Sequence, residues 1–138
     1  MPSHLLSCSE DGCMLYIIDN RLRSFNFRAV QQETLLEDQS KITCVHEAMN
    51  DQVVLGFESG ELNVYDRKMK QRMMRRAFHS GSAVTMVFLH RSILFSFAND
   101  CRFHIFDTDK SNILMDLDLT SNHEIQRINA VVPFDKPN

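Results

Sequence analysis

The segment from Gln52 to Asp66, Gln-Val-Val-Leu-Gly-Phe-Glu-Ser-Gly-Glu-Leu-Asn-Val-Tyr-Asp, constrains the fold of this chain more than any other. An apolar run meets a polar turn at Glu58-Ser59-Gly60. The chain then returns as an alternating run that ends on an aromatic–acid pair. β-Formers on both sides of a glycine-containing turn predict a β-hairpin. One hairpin cannot bury its apolar face alone, so further strands must pack against it.

Weaker copies of the hairpin flank it. The acids Asp19, Asp66 and Asp107 lie 47 and 41 residues apart, each after a bulky apolar residue: Ile18, Tyr65 and Phe106. A turn precedes each acid, at Asp11-Gly12, Ser59-Gly60 and Asp100-Cys101. Before each turn comes an apolar strand, at Leu5-Leu6, Val53-Val54-Leu55 and Ile93-Leu94-Phe95. Hairpins joined by two outer strands every ~40–45 residues have the arithmetic of a propeller blade.

The remaining segments agree. His4–Cys8, Cys13–Asp19, Arg23–Arg28, Ile42–His46, Ala83–Phe88, Ser92–Phe97, Arg102–Asp107, Ile113–Leu119 and Ile128–Val132 read as strands. Residues 29–41 are polar and read as a longer loop, with room for a helical turn. Arg72–Phe78 fits a strand or, by propensity alone, a short helix. No segment carries a sustained helical stripe, so the expectation is all-β, with about eleven short strands.

These residues resemble the WD40-repeat β-propellers. Leu55–Asp66 carries the resemblance best, with Tyr65-Asp66 where the family has Trp-Asp. Ala98–Asp107 follows the pattern with Cys101 in place of glycine, and Ser9–Asp19 matches the turn with one extra residue. His79, twenty-eight residues before Asp107, resembles the family's loop histidine without its preceding glycine. The resemblance implies a hydrogen bond between His79 and Asp100 that braces one blade. It gives architectural roles to Ser59, Gly60, Tyr65, Asp66, Phe106 and Asp107. It also implies a protein–protein interaction scaffold rather than an enzyme, with no cofactor.

The expected domain is a single propeller segment over 1–138, with about three four-stranded antiparallel blades at 4–28, 42–78 and 83–119. Residues 4–28 supply strands two to four of the first blade. Ile128–Val132 either completes that blade or begins another. Closed propellers have about four to eight blades, so the chain is expected to be part of a longer propeller, or one of several copies that assemble into a ring.

Composition sets the remaining bounds. The 138 residues are 43% hydrophobic and 24% charged, which suits a folded core rather than disorder. No apolar run reaches the ~18 residues of a membrane-spanning helix. The N-terminus lacks a basic, then apolar, export signal, so the expected location is cytoplasmic or nuclear. Cys8, Cys13, Cys44 and Cys101 contain no Cys-x-x-Cys, and six scattered histidines form no metal motif. Buried, inert thiols are expected, and no metal. There is no Gly-x-Ser-x-Gly elbow and no glycine-rich phosphate cradle. Asp116 and Asp118 read as an exposed strand face.

Charge is unevenly spread. Between Arg67 and Asn99 lie seven basic residues and no acid, leaving eight basic against eighteen acidic side chains elsewhere. Arg67, Lys68, Lys70, Arg72, Arg75 and Arg76 therefore form a candidate anion-binding patch for lipid headgroups or RNA. Met74-Arg75-Arg76-Ala77 also resembles the paired-arginine motif of phosphoinositide-binding propellers, with Ala77 where that motif has glycine. The competing reading is a solvated outer edge guarded by charge. Met69, Met73, Met74 and Met86 cluster in this region, where methionine serves either core filling or an adaptable binding surface.

Overall fold

The computed structural model describes residues 12–120 in full and the backbone of residues 4–8. Within them lie twelve strands: β1 (His4–Cys8), β2 (Cys13–Ile18), β3 (Arg21–Asn26), β4 (Gln31–Glu37), β5 (Ile42–Glu47), β6 (Gln52–Phe57), β7 (Leu62–Asp66), β8 (Gln71–Arg76), β9 (Val84–His90), β10 (Ile93–Ala98), β11 (Arg102–Asp107) and β12 (Asn112–Asp118). They form three four-stranded antiparallel meanders, β1–β4, β5–β8 and β9–β12. The fold is all-β and propeller-like. No helix among the described residues is long and apolar enough to cross a membrane.

The first blade differs from the expectation. Residues 29–41 are not a loop: Gln31–Glu37 pairs with β3 and completes a four-stranded sheet over residues 4–37. Ile128–Val132, expected as a strand, lies outside the described residues and is not needed by this sheet. The strand was hidden by polarity. Residues 31–34 are all exposed, because an outermost strand needs only a few contacts inward. The repeat shifts accordingly. Asp19 sits in the β2–β3 turn at φ 52°, whereas the third strands end at Asn26, Asp66 and Asp107. That spacing is 40 and then 41 residues, more regular than the 47 and 41 taken from Asp19. Phe25, Tyr65 and Phe106 become equivalent, as do Arg23, Asn63 and His104.

The core has two layers, one at each blade junction. Leu15, Ile17, Leu22 and Leu36 of the first sheet pack on Val53, Leu55, Phe57 and Tyr65 of the second. Val54, Leu62 and Val64, on the opposite face of the second sheet, pack on Val84, Val87, Leu89, Leu94 and Phe106 of the third. The middle hairpin is thus buried on both faces, which explains its unbroken Val53-Val54-Leu55 run. Gly56 lets the third sheet approach. A Cβ there would lie 2.5 Å from Cys44 Sγ and 2.7 Å from Val84 Cγ1.

Candidate protein-interaction face

An even-stranded meander returns to the end where it began. Every odd-to-even turn therefore lies at one end of the blades, and every even-to-odd connection, including the blade linkers, at the other. The two ends are built differently.

At the linker end the turns pack against the linkers, beside a cleft of about 460 Å³ lined by Lys41, Glu58, Ser59, Glu61 and Arg75. Gly60, at φ 94°, lies so close to the linker 77–83 that a Cβ would sit 1.8 Å from the His79 carbonyl oxygen. The His79 and Gly81 amides donate to the Gly60 and Ser59 carbonyls at 3.1 and 3.0 Å. This places Ser59 and Gly60 as the seat of the linker. The structure brings His79 and Asp100 together: Nδ1 lies 3.2 and 3.1 Å from the two carboxylate oxygens. On its other side, Nε2 lies 2.9 Å from Ser96 Oγ. Burial lowers the His79 pKa below its usual range, against the opposing pull of Asp100. The neutral ring then donates to one partner and accepts from the other.

Ser96, His79 and Asp100 repeat the chemistry of an acyl-transfer triad, but their burial changes the meaning. His79 and Ser96 are each 1% exposed, and Ser96 lies mid-strand in β10. No substrate carbonyl reaches that hydroxyl, so the three side chains act as a brace. Phe78 stacks on His104, and His104 meets His79 edge-on at 4.7 Å. Asn63 and His104 are buried with polar atoms that make no hydrogen bond among the described residues, as is the Arg23 Nε at the equivalent position.

The basic stretch is largely committed to the frame. Lys70 reaches back to Glu33 of the first sheet at 2.7 Å, and Arg72 to Asp38 of the following linker at 3.1 Å. Arg67 lies 3.8 Å from Glu47. Arg75 forks onto both Glu61 oxygens at 2.9 and 3.0 Å. The Arg76 guanidinium lies 5.5 Å from the Phe106 ring centre, across the next blade junction. Lys68 is exposed. Sequence alone does not show this compensation, because the acids come from strands and connections up to 37 residues away.

Asp66 and Asp107 cap the turns at the opposite end. Asp66 Oδ1 accepts from the Met69 amide, and Asp107 Oδ1 accepts from the Asp109 and Lys110 amides. Asn26, which sequence reasoning did not single out, caps the first blade in the same way through the Arg28 and Ala29 amides. Tyr65 sends its hydroxyl to the Leu35 carbonyl at 3.0 Å and ties two blades together, while Phe106 lies in the core. Cys44 points its thiol at the Val84 carbonyl, and burial pushes its pKa up to about 12, which removes it as a nucleophile. His46 Nδ1 accepts from the Leu89 amide at 3.2 Å, so its ring also serves a blade junction.

The turn end is open. Its tips carry Phe27, Val30, Met49 and Met69, which are 52%, 75%, 72% and 60% exposed. Between those turns run two clefts. The first, about 750 Å³, lies between sheets one and two, with Arg67, Lys68, Lys70 and Asp51 facing Asn26 and Glu33. The second, about 690 Å³, lies between sheets two and three, with Met49 and Asn50 facing His90, Arg91 and Asp109. Sequence reasoning flagged Met69 but missed Phe27, Val30 and Met49. A bulky apolar residue within a polar turn was the available signal.

No family model and no curated relative matches the sequence. Among solved structures, a chain of the crystal structure of the mitotic checkpoint complex matches 85% of this chain at 16% identity, with a TM-score of 0.69. This chain spans 41% of that chain's length. The likeness supports a WD40-like fold. With 785 solved chains matching, it speaks to architecture and not to a particular activity.

Proposed function

We propose that the chain is a protein-interaction scaffold whose partner docks on the turn end. The carrying observation is four large apolar side chains on three successive turns, all exposed on one end and flanked by two mixed-charge clefts. Exposed apolar groups rimmed by polar residues mark interaction surfaces, and rigid blades hold such turns in fixed geometry. The likeness to a chain from a protein complex is consistent with this reading. Comparative capture tests it. A Val30→Glu/Met49→Glu/Met69→Glu variant loses the proteins that the parent chain retains, whereas Lys41→Glu/Glu58→Lys, at the linker end, keeps them. Equal capture by the parent and the turn-end variant sinks the proposal.

The anion-binding alternative, through Arg72, Arg75 and Arg76, requires a phosphate to displace Asp38 and Glu61. A salt series against anionic vesicles and RNA separates the two readings. Salt-sensitive binding lost on Arg75→Ala supports the alternative.

A further inference from the structure

Each blade junction repeats one recipe. The third-strand aromatic of the later blade seats on the forward face of the earlier one. Tyr65 shares one core with Leu15, Ile17 and Leu22, and Phe106 shares the other with Val54, Leu62 and Val64. Strand pairing fixes the equivalent forward face of the third sheet. Phe95 stands where Val54 does, Phe103 where Leu62 does, and Ile105 where Val64 does. Phe97 stands where Gly56 does. Phe103 packs its ring between Phe95 and Phe97, with centroids at 4.9 and 4.7 Å. Met115 and Leu117 on β12 extend the same face.

This face is apolar apart from His90 and Asp107 at its turn-end edge, and no blade among the described residues seats on it. Val54, Leu62 and Val64 are 0%, 0% and 4% exposed, whereas Phe95, Phe103 and Ile105 are half-buried. Met115 and Leu117 remain 52% and 45% exposed. The backward face of the first sheet offers Met14, Tyr16 and Phe25, with Arg23, Gln32 and Thr34 towards its outer strand. Phe25, the equivalent of Tyr65 and Phe106, is half-buried and meets Phe27 edge-on at 5.0 Å. Beside it, the Arg23 guanidinium lies over the Tyr16 ring.

We infer that the forward face of the third sheet docks the first sheet of a second copy of this chain, with Phe25 of that copy seated on Phe103 and Ile105. The two existing junctions supply the geometry, and the two unmatched faces belong to the same chain. A two-fold axis makes both new junctions at once and closes six blades, within the range of about four to eight for closed propellers. This pairing holds whether or not the turn end recruits a partner.

Sedimentation velocity on the full 138-residue chain, over a concentration series, tests it. The expected mass at the upper concentrations is twice the 16.0 kDa of one chain. Met115→Glu/Leu117→Glu alters side chains already exposed in the single copy. That variant is expected to sediment at 16.0 kDa with an unchanged far-ultraviolet spectrum. Phe25→Glu, on the opposite face, is expected to do the same. A parent chain that stays at 16.0 kDa at every concentration overturns the inference. So does a dimer that survives Met115→Glu/Leu117→Glu, or an assembly of more than two copies.

Discussion

Two turns in this molecule both hold a residue in the left-handed region, and they treat it in opposite ways. At the linker end, Gly60 carries the positive φ, and the His79 backbone fills the space where a side chain would be. At the turn end, Val30 carries it at φ 51°, though a β-branched residue is poorly suited to that conformation, and it stays 75% exposed. The first arrangement is what packing selects. The second gives the fold strain without burial, and such outliers collect at functional surfaces. One end packs its turns around a linker, and the other leaves apolar side chains exposed.

Substitutions sharpen this contrast. Gly60→Ala forces a Cβ into backbone at a strained φ, so a loss of about 3 kcal/mol or more is expected in denaturant unfolding. His79→Gln removes a buried brace that contacts Asp100 and Ser96, with an expected loss of about 2 kcal/mol. His79 also sets a pH dependence. Its folded pKa lies below the ordinary 6.5, so the unfolded chain takes up the proton first. Stability is full above that value and falls as pH drops through and below 6.5 towards the folded pKa. His46, lowered by burial in the same direction, adds to the slope. Melting temperatures between about pH 7.5 and pH 5.5 are expected to fall, and His79→Gln to flatten the trend. At the turn end the sign reverses: Val30→Gly relieves strain and raises stability by about 1 kcal/mol. Lys70→Ala breaks an exposed pair and is expected to cost less than about 1 kcal/mol.

The middle and third blades were legible because their buried strands are apolar and their turns carry Gly60 and Asp100. The first blade was not. Its outermost strand, Gln31–Glu37, is polar where it meets water, and Ile18-Asp19 imitates the ending that belongs to Phe25-Asn26. The His79–Asp100 contact followed from a resemblance, whereas Ser96, its other partner, carries no local signal. The basic stretch was visible, but its compensation by Glu33, Asp38 and Glu61 depends on strand register, which distant sequence does not encode locally. The clefts at the turn end arise only once the blades stack.

Hydrogen exchange resolved to single amides tests the division between the two ends most directly. Gly60, His79 and Gly81 donate to backbone carbonyls where the linker packs on its turn, and strong protection is expected at these three amides. Arg28, Ala29 and Met69 donate only to Asx side chains in exposed turns, and fast exchange is expected. Equal protection of these two sets of amides, in the chain alone, would contradict the account.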